Sequence, residues 1–69
     1  MSEYRTTEQF LDICDSMING NWTQAGQDCA KWGFYANDLR TEYEQNAEVC
    51  GITDIFDFCE LLEIANRYR

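Results

Sequence analysis

Helical periodicity broken at glycines is the feature that most constrains this chain. There is no proline, and no segment alternates apolar and polar residues at the two-residue period of a strand. Apolar residues recur instead at three- and four-residue spacing, and the runs break at Asn19-Gly20, Gly33 and Gly51. Glycine enters the left-handed conformation that ends a helix without steric cost. The pattern predicts an all-α fold: a compact bundle of four short helices over residues 7–18, 22–32, 36–49 and 54–67, joined by tight turns.

The first segment opens at Thr6 with Gln9 three positions on, the arrangement of a capping box. Phe10, Leu11, Ile13, Cys14, Met17 and Ile18 share one face, and Glu8, Asp12, Asp15 and Ser16 take the other. Asn21 is placed to cap the second segment, again with a glutamine, Gln24, at the third helical position. Its apolar face is Trp22, Ala25, Gly26, Cys29, Ala30 and Trp32. Small residues in the middle of that face allow a neighbouring backbone to come close, and the tryptophans at either end supply buried area. The third segment has a thin stripe of Leu39, Tyr43, Ala47 and Cys50, which suits a helix at the edge of the domain. Thr53 is positioned to cap the fourth, whose buried face is expected to be Ile55, Phe58, Cys59, Leu61, Leu62, Ala65 and Tyr68. Asp54 and Asp57 lie at the positive end of that helix dipole, and Arg67 and Arg69 at the negative end.

Between the second and third segments, Trp32 completes an apolar face and Gly33 supplies the stop. Phe34 falls where a Schellman cap places its hydrophobic contact, which leaves Tyr35 without a structural task and free for contact.

At 69 residues the chain is near the size at which one core is only marginally sufficient. A single domain is expected, with a helical hairpin pair that completes its core as a dimer as the alternative. Residues 1–10 are polar and charged, so no Sec-type signal peptide is expected, and no apolar run has the length of a membrane span. The expectation is a soluble cytoplasmic protein without membrane attachment. The four cysteines, at 14, 29, 50 and 59, show no CxxC spacing and have no histidine to help them. They are read as reduced core thiols rather than as a zinc site, and no cofactor or metal is expected.

Residues 20–30, GNWTQAGQDCA, resemble the turn and second helix of a tetratricopeptide hairpin. Gly20, Asn21, Trp22 and Ala25 match the order of glycine, polar residue, aromatic and alanine in that family. The first helix lacks the family's aromatic and glycine positions, and no second copy follows. The resemblance implies a helix–turn–helix hairpin and no peptide-binding groove. In size, in charge and in its lack of catalytic residues, the chain also resembles the small acidic proteins that phages encode to disable host defence or host enzymes. That resemblance implies an inhibitor in the host cytoplasm whose target is a nucleic-acid-binding enzyme or a defence complex.

Catalytic groups are sparse. There is no histidine, one lysine, and neither a phosphate-cradling glycine loop nor a GxSxG elbow. Cys29 with Lys31 nearby is the best available nucleophile pairing, but at that spacing Lys31 points to the opposite side of the helix. The expectation is a non-enzymatic protein.

Charge is the strongest non-random signal. Thirteen carboxylates against five basic residues give a net charge of −8, which repels nucleic acid and anionic membranes and attracts basic proteins. From Thr41 to Asn66 the chain carries Glu42, Glu44, Glu48, Asp54, Asp57, Glu60 and Glu63, and no basic residue. The last four recur every three positions, forming a slowly drifting stripe. One reading of this stripe is a solvated helix face; the other is a surface that pairs with the basic groove of a nucleic-acid-binding protein. Phe56 and Ile64 are expected on the acidic side, where an apolar group ringed by carboxylates has the arrangement of an interface anchor. They would otherwise pack on the third helix or in a homodimer contact. The functional expectation is a non-catalytic inhibitor that binds a basic protein surface, with DNA mimicry as one form. A dimerisation or assembly module is the alternative.

Overall fold

Four helices make up the structure, a computed structural model that describes residues 6–69. They are α1 (Thr7–Ile18), α2 (Trp22–Lys31), α3 (Ala36–Asn46) and α4 (Asp57–Asn66). No strand occurs among the described residues, and the chain is a small all-α bundle of about 30 × 28 × 19 Å.

The helix ends follow from local chemistry. At the start of α1 the Thr6 hydroxyl accepts the Gln9 N–H at 3.1 Å, and the Gln9 side chain accepts the Thr6 N–H at 3.1 Å. Gly20 and Gly33 both adopt positive φ, at 82° and 76°. Each closes a Schellman motif. After α1, Gly20 donates to the Met17 carbonyl and Asn21 to that of Ser16; after α2, Gly33 donates to Ala30 and Phe34 to Cys29. The second motif turns Phe34 inward, where it is wholly buried.

Four boundaries differ from those the sequence predicts, the slightest being the end of α4 at Asn66 rather than 67. Trp32 is the C-cap of α2, so that helix ends at Lys31. α3 stops at Asn46 rather than continuing to 49. The Asn46 side chain donates back to the Glu42 carbonyl and carboxylate, while the N–H groups of Val49 and Cys50 both turn to the Asn46 carbonyl. α4 begins at Asp57, not after a Thr53 cap. The Asp54 carboxylate accepts the Phe56 N–H at 2.9 Å, and this aspartate turn competes with helix over 54–56. The link between α3 and α4 is therefore a ten-residue connection, 47–56. Asn21 also makes no side-chain cap bond, although it stands at the N-cap of α2.

α2 forms its largest interface with α4 and its second with α1, whereas α3 touches the bundle along one edge. The α2–α4 seam is close because Gly26 has no side chain. A Cβ built there would lie 2.9 Å from Ile64 Cβ and 3.3 Å from the Ala65 backbone nitrogen. Below the seam, Phe10 and Phe58 stack at 5.8 Å, and Tyr43 meets Phe58 edge-on at 5.5 Å, so one aromatic group joins α1, α3 and α4. Ile13, Leu39 and Leu61 complete the centre, and Ile52 reaches it from the α3–α4 connection.

Several residues expected inside are outside. Ile55 lies in the turn before α4, Tyr68 lies beyond its end, and Cys59 faces outward from it; all three are exposed. Ala47 is exposed because α3 has already ended. Ile18, the last residue of α1, is more than half exposed. Trp32 is only half-buried, and Phe34 takes the core position instead.

Candidate interaction edge

The residues singled out by charge lie on α3, on α4 and on the connection between them, and they divide by what their side chains do. Glu42 is tied into the fold. It is half-buried, accepts the Thr7 hydroxyl at 3.0 Å and the Asn46 amide at 3.1 Å, and so pins the start of α1 to α3. Glu44 pairs with Arg40 one turn earlier at 3.6 Å, an exposed contact of small energetic value. Asp54 holds the turn before α4, and Asp57 is half-buried in the first turn of that helix. Glu48, Glu60 and Glu63 are exposed, and each lacks a hydrogen bond or ion pair from any of the described residues. Neither α4 nor the connection before it contributes a basic side chain to balance them.

The two expected apolar anchors separate. Phe56 is 73% exposed, a large cost for an aromatic ring left in water. Ile64 is not on the acidic side: it is half-buried with its side chain over Gly26 in the α2–α4 seam. Two apolar residues of the connection that the periodicity did not single out for contact are also exposed, Val49 at 70% and Ile55 at 40%. Both fall in the connection, which the sequence pattern had divided between two longer helices. The signal available for them was the Cys50-Gly51 break followed by Thr53-Asp54, a pair that favours turns over helix.

Tyr35 has a structural role after all. It is the N-cap of α3, its N–H donates to the Asp38 carboxylate at 2.9 Å, and its exposed ring lies under the Arg69 guanidinium at 4.1 Å. Arg69 also donates to the Phe34 carbonyl and to the Asn66 side chain. It thereby fastens the region beyond α4 to the α2–α3 turn.

Three of the four thiols are buried, and Cys59 is exposed. Burial pushes the Cys14 thiol up to about 12, and the neighbouring Cys50 adds to the rise. Burial also raises Cys29, which outweighs the opposing effect of Arg69. The cation acting on Cys29 is thus Arg69; Lys31 is exposed and lies over the Trp32 ring. The Cys29 thiol donates to the Phe34 carbonyl at 3.4 Å, and the Asp38 carboxylate adds to the rise. The described residues contain no group of three histidine, cysteine or carboxylate side chains placed to hold a metal ion. No helix among them is long and apolar enough to cross a membrane. Of the five basic residues, Arg5 lies outside the described residues.

Comparison with protein-family models, curated proteins and solved structures returned no match.

Proposed function

We propose that the chain is a non-catalytic inhibitor that binds the basic surface of a nucleic-acid-binding protein through its α3–α4 edge. The observation that carries this reading is Phe56, 73% exposed and followed on α4 by the exposed carboxylates Glu60 and Glu63, with no basic residue between Thr41 and Asn66. Such a surface speeds encounter with a cationic partner through long-range attraction, and the apolar anchors then slow release. In the DNA-mimic form, the carboxylates take the places of phosphates in the partner's groove. The target would be an enzyme or defence complex of the host in which the protein acts, and inhibition would be stoichiometric.

The test is a pull-down from host lysate over a salt series, repeated with Glu48, Glu60 and Glu63 changed to Gln and separately with Phe56→Ser. The reading expects a basic partner whose capture falls steeply with salt and is lost in both variants. Retention of every partner by the triple Gln variant would overturn it. A second reading, a self-associating assembly module, draws on the same exposed Val49, Ile55 and Phe56. Sedimentation over a range of concentrations separates the two, because a tight dimer would cover these residues.

A further inference from the structure

A second surface contains no residue of α4. The turn at Val49–Gly51 stands against α1 and leaves a cavity of about 340 Å³ whose apolar lining includes Leu11, Ile18 and Val49. Asp12 and Asp15 line it as well. Gly51, at φ 80°, forms part of the wall, and a Cβ there would meet Ile18 Cδ1 at 2.5 Å. The absent side chain therefore lets the turn approach α1. Ile18 and Val49 are 54% and 70% exposed, so the groove has apolar walls open to water. Both aspartates are exposed and have no ion-pair or hydrogen-bond partner among the described residues.

Geometry and charge together select an occupant. Leu11 and Ile18 are two helical turns apart, about 10 Å along α1. That length matches two apolar side chains presented from one face of a short amphipathic segment. No basic residue occurs on α1, and the chain as a whole carries −8. Nucleic acid is repelled by that field, and a second copy would bring the same two aspartates against their like. We infer that the groove between α1 and the Val49–Gly51 turn docks a cationic amphipathic peptide segment of a partner protein, its apolar side chains against Leu11, Ile18 and Val49 and its Arg or Lys side chains on Asp12 and Asp15. This site shares Val49 with the α3–α4 connection but uses none of Phe56, Glu60 or Glu63, and its aspartates belong to α1, so changes at Asp12 and Asp15 test it apart from the α4 edge.

The experiment is a titration of isotope-labelled protein, followed by NMR, with a short synthetic peptide whose leucines share one helical face and whose other positions are arginine. The expected result is saturable binding with shifts centred on Leu11, Asp12, Asp15, Ile18 and Val49. Asp12→Lys with Asp15→Lys should weaken binding by about tenfold or more, the sum of two reversed surface charges. Val49→Ser, at an exposed position, should also weaken it while the helical circular dichroism stays unchanged. A peptide with serine in place of leucine should bind several-fold more weakly. Equal binding of the serine peptide would overturn the inference, since charge alone would then account for attachment. Shifts centred on Glu60 and Glu63 would also overturn it while leaving the α4-edge reading standing. Concentration-dependent shifts at the groove without peptide would overturn it in favour of a second copy.

Discussion

The α2–α4 seam and the α3–α4 connection are built on opposite terms. At the seam, small residues bring two helices so close that a single added carbon at Gly26 would collide with Ile64. Along the connection, three large apolar side chains, Val49, Ile55 and Phe56, remain in water among carboxylates. A stability-driven sequence would bury or remove those side chains, since exposed hydrophobes contribute nothing to folding and favour association. The difference teaches where to look for each role: the seam holds the bundle together, and the connection is free to meet something else.

The sharpest way to break this contrast is at Gly26. Gly26→Val places branched carbons against Ile64 and the Ala65 backbone, and the helices cannot both keep their positions. Thermal or urea unfolding should show a loss of about 3 kcal/mol or more, beyond the usual range for overpacking because a backbone atom is among the obstacles. Gly26→Ala should cost less, about 1–2 kcal/mol, as better helix propensity offsets part of the clash. A neutral Gly26→Val would mean the seam is not close-packed.

A smaller effect is expected from pH. The Cys14 thiol ionises at about 12 in the folded chain, against an ordinary 9.0. The unfolded chain releases this proton first as pH rises, so the unfolded state binds fewer protons above 9.0 and stability falls with pH. The contribution is fully present below 9.0 and is lost progressively up to about 12. Urea midpoints followed from neutral pH upward should decline beyond 9.0, and Cys14→Ala should flatten that decline. An unchanged slope in the variant would assign the loss to other groups.

The smallest effect on stability belongs to the connection. Phe56→Ser and Val49→Ser should each change unfolding free energy by less than about 0.5 kcal/mol, the range for surface positions, while removing apolar contact area. If either change cost as much as a core substitution, the contrast between the two regions would collapse.

Much of this fold is legible in the sequence, and the parts that are not share a cause. The capping box at Thr6 and Gln9 and the glycine stops at 20 and 33 depend on neighbours within a few positions, and the small residues around Gly26 recur at helical spacing. Periodicity and turn chemistry report such features directly. The bounds of α3 and α4 depend on competition. Asn46 and Asp54 offer side-chain hydrogen bonds that replace helical ones, and a run of apolar residues does not show which will win. The start of α4 at Asp57 leaves Ile55 in the turn rather than on a helix face, and Ile64, at the flank of the apolar stripe, is covered because α2 comes close at Gly26. Acidic composition identified the stretch after Thr41, but it did not separate Glu42, which holds α1 to α3, from Glu60 and Glu63, which hold nothing within the described chain. The groove beside Asp12 and Asp15 was out of reach because it joins residues more than thirty positions apart.

The placement of the seam also orders events during folding. α2 finds its largest partner in α4, and α3 with its connection intervenes between them in the chain. Until α4 docks, the Gly26 face of α2 is uncovered, and α1 is the other helix that packs on α2. Long-range contacts of this kind form only after the intervening segment closes, so folding of the bundle is coupled to docking of α4. A chain cut before Asp57 would therefore leave the closest-packed surface of α2 open to chaperones and proteases.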